Sequence, residues 1–153
     1  MRRLFLFILG ILGGLTAAVA LARVLIPSRG DETSDELALV AIADSLALHS
    51  RSAAFRGGSL GAWMAGVDLD LARATLAAEG GRLELTAVAS GVDIRVNPAW
   101  RVQVSQRGKA HDLALELDGQ DDLPPDAPLF RVSALMVGAG VVISNRPDDD
   151  DIG

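Results

Sequence analysis

Beyond residue 36, the chain is made of short stretches in which apolar and polar residues alternate. The clearest are Leu83-Glu84-Leu85, Val92-Asp93-Ile94-Arg95-Val96 and Val102-Gln103-Val104. Successive side chains of a β-strand point to opposite faces, so this alternation predicts short strands with one buried face. Strand parity then predicts a core that contains Val67, Leu69, Leu71, Val92, Ile94 and Val96. The same parity predicts water-facing positions for Asp68, Asp70, Asp93 and Arg95.

The strands belong to an internal repeat. Residues 62–71 and 87–96 share a pattern: small or apolar residues, then Gly-Val-Asp, then an alternating stretch. Residues 134–143 form a third copy and residues 41–48 a fainter one. A further copy is expected at 104–117, where the alternation persists but the glycine motif is lost. Internal repeats of this length indicate an architecture of stacked units.

The spacing of the copies sets the size of the unit. Ser45 to Gly66 is 21 residues, Gly66 to Gly91 is 25, and Gly91 to Gly138 is 47, close to two units. Turns of about 21–25 residues predict an all-β, short single-domain β-solenoid, in which each turn buries its apolar face on the next. An antiparallel β-sandwich is the alternative.

Three glycines are predicted to be structural corners of this solenoid, namely Gly66, Gly91 and Gly138. Glycine is the residue for bends and for close backbone packing, so a side chain at Gly66 or Gly91 is expected to meet the neighbouring turn.

The N-terminal segment has a different character. Residues 4–22 are 19 residues without a charge, and about 20 residues span the hydrocarbon core of a bilayer. Residues 1–26 are therefore predicted to be a transmembrane helix that binds the lipid bilayer through residues 4–26. A cleaved signal peptide is the alternative, since Ala18-Val19-Ala20 resembles a cleavage site. A stripe of small residues offers a helix–helix contact, formed by Gly10, Gly14 and Ala18.

The remaining boundaries follow from composition. A polar linker is predicted at 27–36, the β domain at 37–147 and an acidic disordered tail at 148–153. The first 29 residues carry four arginines and no acid, whereas the rest carries 10 basic against 20 acidic residues, a net charge of −10. So acidic a domain disfavours nucleic-acid binding, which requires clustered Lys and Arg. The slight excess of positive charge at the N-terminus favours a cytoplasmic N-terminus and an extracytoplasmic domain.

The order of motifs resembles the LiaF-like C-terminal domain, or cell wall-active antibiotics response domain, of the toastrack group of β-solenoids. The matching stretches are Phe55-Arg56-Gly57-Gly58, Gly66-Val67-Asp68-Leu69-Asp70-Leu71 with Ala74, Gly91-Val92-Asp93-Ile94-Arg95-Val96-Asn97-Pro98 and Trp100-Arg101-Val102. The resemblance covers about 35–147. It implies a protein of the bacterial cytoplasmic membrane that takes part in envelope-stress signalling. The chain departs from the family in lacking Phe-Gly-Gly corners and in having one apolar segment rather than several.

Little in the sequence suggests catalysis. The only histidines, His49 and His111, have no carboxylate at a ligand spacing, and the chain has no cysteine, so no metal site and no cofactor are predicted. Asp68 and Asp93 are the sharpest polar pair, because stacked repeats bring them about 4.8 Å apart. Like charges that close repel, and a cation between them or simple exposure to solvent would relieve the repulsion.

Three functions are therefore compatible with the sequence. The first is a non-enzymatic binding or scaffold module with a protein partner in the envelope. The second is a structural protein that self-assembles, and the third is a cation-dependent hydrolase that uses Asp68 and Asp93.

Overall fold

The computed structural model describes residues 28–109 and 111–146. This part of the chain is all-β, as predicted, with one short 3-10 helix at Gln120–Asp122. Its ten strands are β1 (Glu36–Ile42), β2 (Ser45–His49), β3 (Gly57–Trp63), β4 (Gly66–Asp70), β5 (Gly81–Val88), β6 (Gly91–Arg95), β7 (Arg101–Lys109), β8 (Asp112–Glu116), β9 (Leu129–Val137) and β10 (Gly140–Ser144). The described residues include no helix long and apolar enough to cross a membrane. The predicted transmembrane helix lies outside them, as does the predicted acidic tail.

The strands form two five-stranded sheets. The chain alternates between them, so each strand is followed by a strand of the other sheet. Odd-numbered strands make the first sheet in the order β1-β3-β5-β9-β7, and even-numbered strands make the second in the order β2-β4-β6-β10-β8. The pairings within each sheet are parallel, including the match of Gly66 to Gly91 and of Ser45 to Gly66. A strand in the first sheet and the strand that follows it in the second therefore form one repeating unit of two strands, which is called a turn.

The order of the last two turns departs from the predicted succession. β5 and β6 pair with β9 and β10, and the earlier strands β7 and β8 lie beyond them at the end of the stack. The expectation that each turn packs on the next in sequence is thus wrong for these two. The weak copy expected at 104–117 is largely β7 and β8, and its loss of the glycine motif coincides with this edge position.

The core lies between the two sheets and follows the predicted parity. Its inward residues from the two matched repeats are all buried, at 5% exposure or less: Val67, Leu69, Leu71, Val92, Ile94 and Val96. Asp68 and Asp93 are exposed, and Asp70 and Arg95 are partly exposed on the same outer face. A register slip of one residue would exchange these sets, so the alternation fixes the register. The stretch 69–78 contains no helix, and turns follow the end of β4.

Aromatic packing closes the core beside the β4–β5 and β6–β7 connections. Phe55, Trp100 and Phe130 are buried and have ring centroids 5.3 to 6.3 Å apart. Aromatic pairs in this range add to the stabilisation from burial alone. Trp100 is thus a core residue.

The segment treated as a linker folds back along the edge of the first sheet. Arg29 pairs with Ala38 in an antiparallel bridge, and the Ser28 hydroxyl accepts a hydrogen bond from the Val40 amide at 2.9 Å. Ser28, the first described residue, therefore lies beside the end of β1 that leads to Ile42. The polypeptide that precedes it joins the domain at that end.

Asn145 ties the end of the last strand to the loop after β8. Its side chain donates to the Asp118 carbonyl at 2.8 Å and accepts from the Asp118 amide at 2.9 Å, across 27 residues of chain. Arg146 adds a charged contact to the Asp118 carboxylate at 2.8 Å, and this hydrogen bond and charge lower the pKa of Asp118. Asn145 is buried, whereas the arginine is exposed.

We expect Asn145→Ala to lower the stability of the domain by about 1–3 kcal/mol, because two hydrogen bonds at a buried position are lost and their partners are left unpaired. Chemical denaturation followed by circular dichroism measures the change. Arg146→Ala serves as the control and is expected to have a much smaller effect, since exposed ion pairs contribute little. Equal effects of the two variants would contradict the assignment.

Candidate functional site

A row of glycines crosses the outer face of the second sheet. Gly66, Gly91 and Gly140 are the first residues of β4, β6 and β10, and they lie side by side in register. Ser45 of β2 continues the row on one side and Asp112 of β8 on the other. The row forms the floor of an open trough of about 550 Å³. Because glycine has no side chain, the backbone itself is the surface that a ligand would meet.

No requirement of the fold explains these three glycines. A Cβ atom built on Gly66, Gly91 or Gly140 has nothing within 4 Å, so a side chain would extend into open space. None of the three has a positive φ angle, so other residues adopt the same backbone conformation. Glycine inside a strand costs about 0.5–1 kcal/mol relative to alanine. Three such residues in register are therefore explained better by the surface they leave bare than by packing.

This geometry corrects the predicted roles of the glycines. Gly66 and Gly91 are equivalent positions of neighbouring turns, but the expectation that a side chain there meets the next turn is wrong. Gly138 is not their counterpart, because Gly140 occupies that register. Gly138 lies in the connection before β10 and has a φ of 58°.

The corresponding corners of the other turns are occupied by residues with side chains. Ala43, Met64 and Ala89 have φ angles of 48° to 49°, and each lies two residues before its strand in the second sheet, as Gly138 does. The bend is thus made at a position that the glycine pattern does not mark, and three of these four corners hold non-glycine residues in a left-handed conformation. Such residues are uncommon outside sites that the surrounding structure fixes.

Two aspartates flank the glycine floor. Asp68 and Asp93 are paired across β4 and β6, as predicted, on the same outer face as the glycines and two residues further along each strand. Ala47 and Val142 continue this second row on either side. The trough therefore combines a bare backbone floor, small or apolar side chains and negative charge.

The next row outward is an ion-paired cluster. Asp70 lies 3.5 Å from the guanidinium of Arg95, its partner in the ladder, and 3.3 Å from Nδ1 of His49. Asp70 also accepts a hydrogen bond from the Ala72 amide at 2.9 Å. These contacts fix the carboxylate of Asp70 within the fold.

A cation-dependent hydrolase, the third function considered from the sequence, would be favoured by a histidine placed beside Asp68 and Asp93. His49 instead bonds Asp70, two residues further along the strands, and no His, Cys, Asp or Glu set in the described residues is arranged to hold a metal ion. The predicted helix–helix contact of Gly10, Gly14 and Ala18 lies outside the described residues.

Sequence reasoning found the glycines and the aspartates but not the surface they form. The sequence contained the necessary signal. The alternation places Gly66 and Gly91 on the outer face of their strands, where packing of the core cannot require a glycine. The register with Gly140 was missed because the repeat was aligned on Gly138.

Comparison of the chain with protein-family models, curated proteins and solved structures gives no match. The likeness to the LiaF-like domain therefore stands on the quoted residues alone.

Proposed function

We propose that this chain is a membrane-anchored, non-enzymatic binding or scaffold module of the bacterial cytoplasmic membrane. In this proposal the β domain lies on the extracytoplasmic side and takes part in envelope-stress sensing or in the regulation of a signalling partner. The observation that carries the binding role is the glycine floor formed by Gly66, Gly91 and Gly140, which no packing or backbone requirement explains. The uncharged run at 4–22 supports the anchor, and the resemblance to the LiaF-like domain supports the setting.

We further propose that the two sheets are the two faces of a short β-solenoid of the toastrack type. The passage of the chain between sheets at each consecutive strand pair supports this assignment, as do the in-register parallel ladders. In a β-solenoid, the outer faces of the sheets continue from turn to turn and form extended surfaces, which suits them to binding another protein.

The partner expected at the trough is a protein that brings backbone or flat apolar surface against the glycines and positive charge towards Asp68 and Asp93. A bare floor permits closer approach than any side chain would allow. Opposite charge across an interface favours encounter and correct register more than raw affinity.

Filling the trough is expected to abolish partner binding without harming the fold. The variant Gly66→Val/Gly91→Val should fold with unchanged or higher stability, since the side chains meet open space and strand glycines are destabilising. A photo-crosslinking amino acid at Val142, in the native membrane, should capture a partner in the parent chain and lose most of that yield in the variant. Chemical denaturation checks the fold of each protein.

The matched control places the same photo-crosslinking amino acid at Ser105, on the outer face of the first sheet. If capture at Val142 survives the two valines, or equals capture at Ser105, the trough is not a binding surface.

Self-assembly is the second candidate, and the end of the stack favours it. In the described residues, β7 and β8 each pair on one side only, and Leu115 of β8 is 51% exposed. Unpaired strand edges with exposed apolar residues are sites where further strands add. Capture of a second copy of this chain in the crosslinking experiment would favour assembly over a separate partner.

A further inference from the structure

The outer face of the first sheet is divided into a polar half and an apolar half. Near the strand starts, the outward rows hold charged and hydroxyl side chains, including Arg82, Glu84 and Ser133. Near the strand ends, the last outward row runs Ile42, Trp63, Val88, Val137 and Lys109. The row before it runs Val40, Gly61, Thr86, Leu135 and Arg107. These two rows, with Met64 in the connection after Trp63, are called the apolar ledge.

The ledge is the main exposed apolar surface of the described residues. Four large hydrophobic side chains of the described residues are strongly exposed. Three of the four belong to the ledge: Met64 at 51%, Leu135 at 49% and Val137 at 46%. A cluster of this kind on one half of a sheet face, next to a polar half, marks a contact surface.

Gly61 leaves the space in which the Trp63 ring lies on this surface. A Cβ atom on Gly61 would lie 2.3 Å and 2.5 Å from two carbons of the Trp63 ring, so the ring occupies the space that a side chain at position 61 would need. The indole therefore lies against the outer face of the sheet instead of in the core, where Trp100 lies. A large ring held on the solvent face is an amphipathic group suited to the boundary between water and lipid.

The ledge is also where the N-terminal segment joins the domain. Ser28 lies beside Val40, and Ile26, the last residue of the apolar segment, is only two residues earlier. Consecutive Cα atoms are about 3.8 Å apart, so two residues of chain span at most about 8 Å. If residues 4–26 are in a bilayer, so short a tether holds the Val40 end of the first sheet at the bilayer surface.

The charges at the far side of the ledge suit the same surface. Arg107 and Lys109 of β7 end its two rows, and both are exposed. By contrast, Asp44 lies near the other side of the ledge, in the connection between β1 and β2, where it accepts a hydrogen bond from the Ser45 amide. Apolar side chains flanked by basic ones bind membranes through both burial and attraction to anionic headgroups.

We propose that the apolar ledge lies on the bilayer surface, with Trp63 at the level of the headgroups and Arg107 and Lys109 against anionic phospholipids. This inference rests on the proposed anchor and adds the orientation of the domain. With the ledge on lipid, the glycine trough on the opposite sheet faces away from the first sheet and stays open to a partner.

The test uses the full chain reconstituted in phosphatidylcholine–phosphatidylglycerol vesicles that contain a phospholipid brominated near the top of its acyl chain. Trp63 is expected to lose most of its fluorescence to the bromine and to be protected from acrylamide in the water. The signal of Trp63 is obtained by subtracting the spectrum of Trp63→Phe, in which Trp100 remains as a buried reference at 2% exposure.

A second measurement uses the absence of cysteine from the chain. Nitroxides on Leu135→Cys and on Leu115→Cys report a ledge position and a matched control, because the parent residues are 49% and 51% exposed. The Leu135 label is expected to be more accessible to oxygen, which partitions into lipid, and the Leu115 label to a water-soluble nickel chelate.

Three outcomes would overturn the proposal. If both labels prefer the nickel chelate while the protein floats with the vesicles, the anchor stands but the ledge faces water. If Trp63 is shielded from both quenchers, a second copy or another part of this chain covers the ledge instead of lipid. If the protein does not float with the vesicles, the anchor itself fails.

Discussion

Replacing Leu69 with Asp is expected to leave the domain unfolded. Leu69 has no exposed surface and lies on the inner face of the second sheet in β4, which has a neighbouring strand on each side. The substitution removes about 1.5–3 kcal/mol of apolar burial and places a carboxylate without a partner in the core, which costs several kcal/mol more. The sum approaches the total stability of about 5–15 kcal/mol that a domain of this size has. Circular dichroism of the full chain in detergent should show loss of the cooperative thermal transition.

Asp68→Asn is the matched control, because Asp68 is the next residue of the same strand and points to water. It is expected to be nearly neutral, or to stabilise slightly by removing repulsion from Asp93 across the ladder. A folded Leu69→Asp protein would show that the assigned register is wrong. Strong destabilisation by Asp68→Asn would show that this carboxylate holds a cation or a bond within the fold.

Gly58→Ala is expected to destabilise the domain by about 2–6 kcal/mol, in sharp contrast to Gly91→Ala. Gly58 has a φ of 133°, where other residues are strained, and a Cβ there would lie 1.9 Å from the Leu37 carbonyl oxygen in β1. Strain and overpacking each cost about 1–3 kcal/mol. At Gly91 the same methyl group meets open space, so alanine should stabilise by about 0.5–1 kcal/mol. Urea denaturation of both variants measures the difference.

The pair also separates two reasons for glycine in this chain. Gly57 and Gly58 let the neighbouring backbones of β5 and β1 approach, whereas the trough glycines leave an outer surface bare. Equal destabilisation by Gly58→Ala and Gly91→Ala would remove the distinction, and with it the main support for the trough as a binding surface.

The alternation in the sequence was enough to predict the strands of the two matched repeats, the register between them and the core residues that they supply. Val67, Leu69, Val92 and Ile94 are inward because burying their charged neighbours would cost far more, and no other arrangement of that pattern satisfies both sets. The match of Gly-Val-Asp motifs likewise predicted that β4 and β6 are neighbours. These are local signals, and the structure agrees with them.

The order of the turns could not be predicted in the same way. β8 keeps the alternation, and nothing in Leu113 or Leu115 specifies whether its neighbour is β6 or β10. That choice depends on long-range packing of the first sheet, where β9 is buried on its inner face through Phe130 and Val132 and suits a central place. β7, with Arg107 and Lys109, suits an edge, since edge strands commonly carry charge.

Gly66 and Gly91 were misassigned as corners for a different reason, whereas Gly138 does lie at a bend, with a φ of 58°. A glycine in a repeat was taken as evidence of a bend, but Met64 and Ala89 make the bends with left-handed backbone while Gly66 and Gly91 begin flat strands. A glycine in the sequence shows that a side chain is absent, but it does not show which neighbouring group requires that absence. Only the folded backbone shows that a side chain at Gly58 would meet a carbonyl oxygen, whereas one at Gly91 would have nothing within 4 Å.

The position of β9 and β10 between earlier strands has a consequence for synthesis. β7 and β8 pair only with β9 and β10 in the described residues, and the free side of β6 is filled by β10. As the ribosome makes the chain from its N-terminus, two turns of the stack stay incomplete until residues 129–144 emerge. The turn formed by β9 and β10 therefore completes both sheets. A chain that stops after Glu116 would leave one side of β5 and of β6 unpaired, and β7 and β8 would have no strand to pair with. Until β9 and β10 emerge, the unpaired strand edges are open to pairing with other chains, which is a route to aggregation.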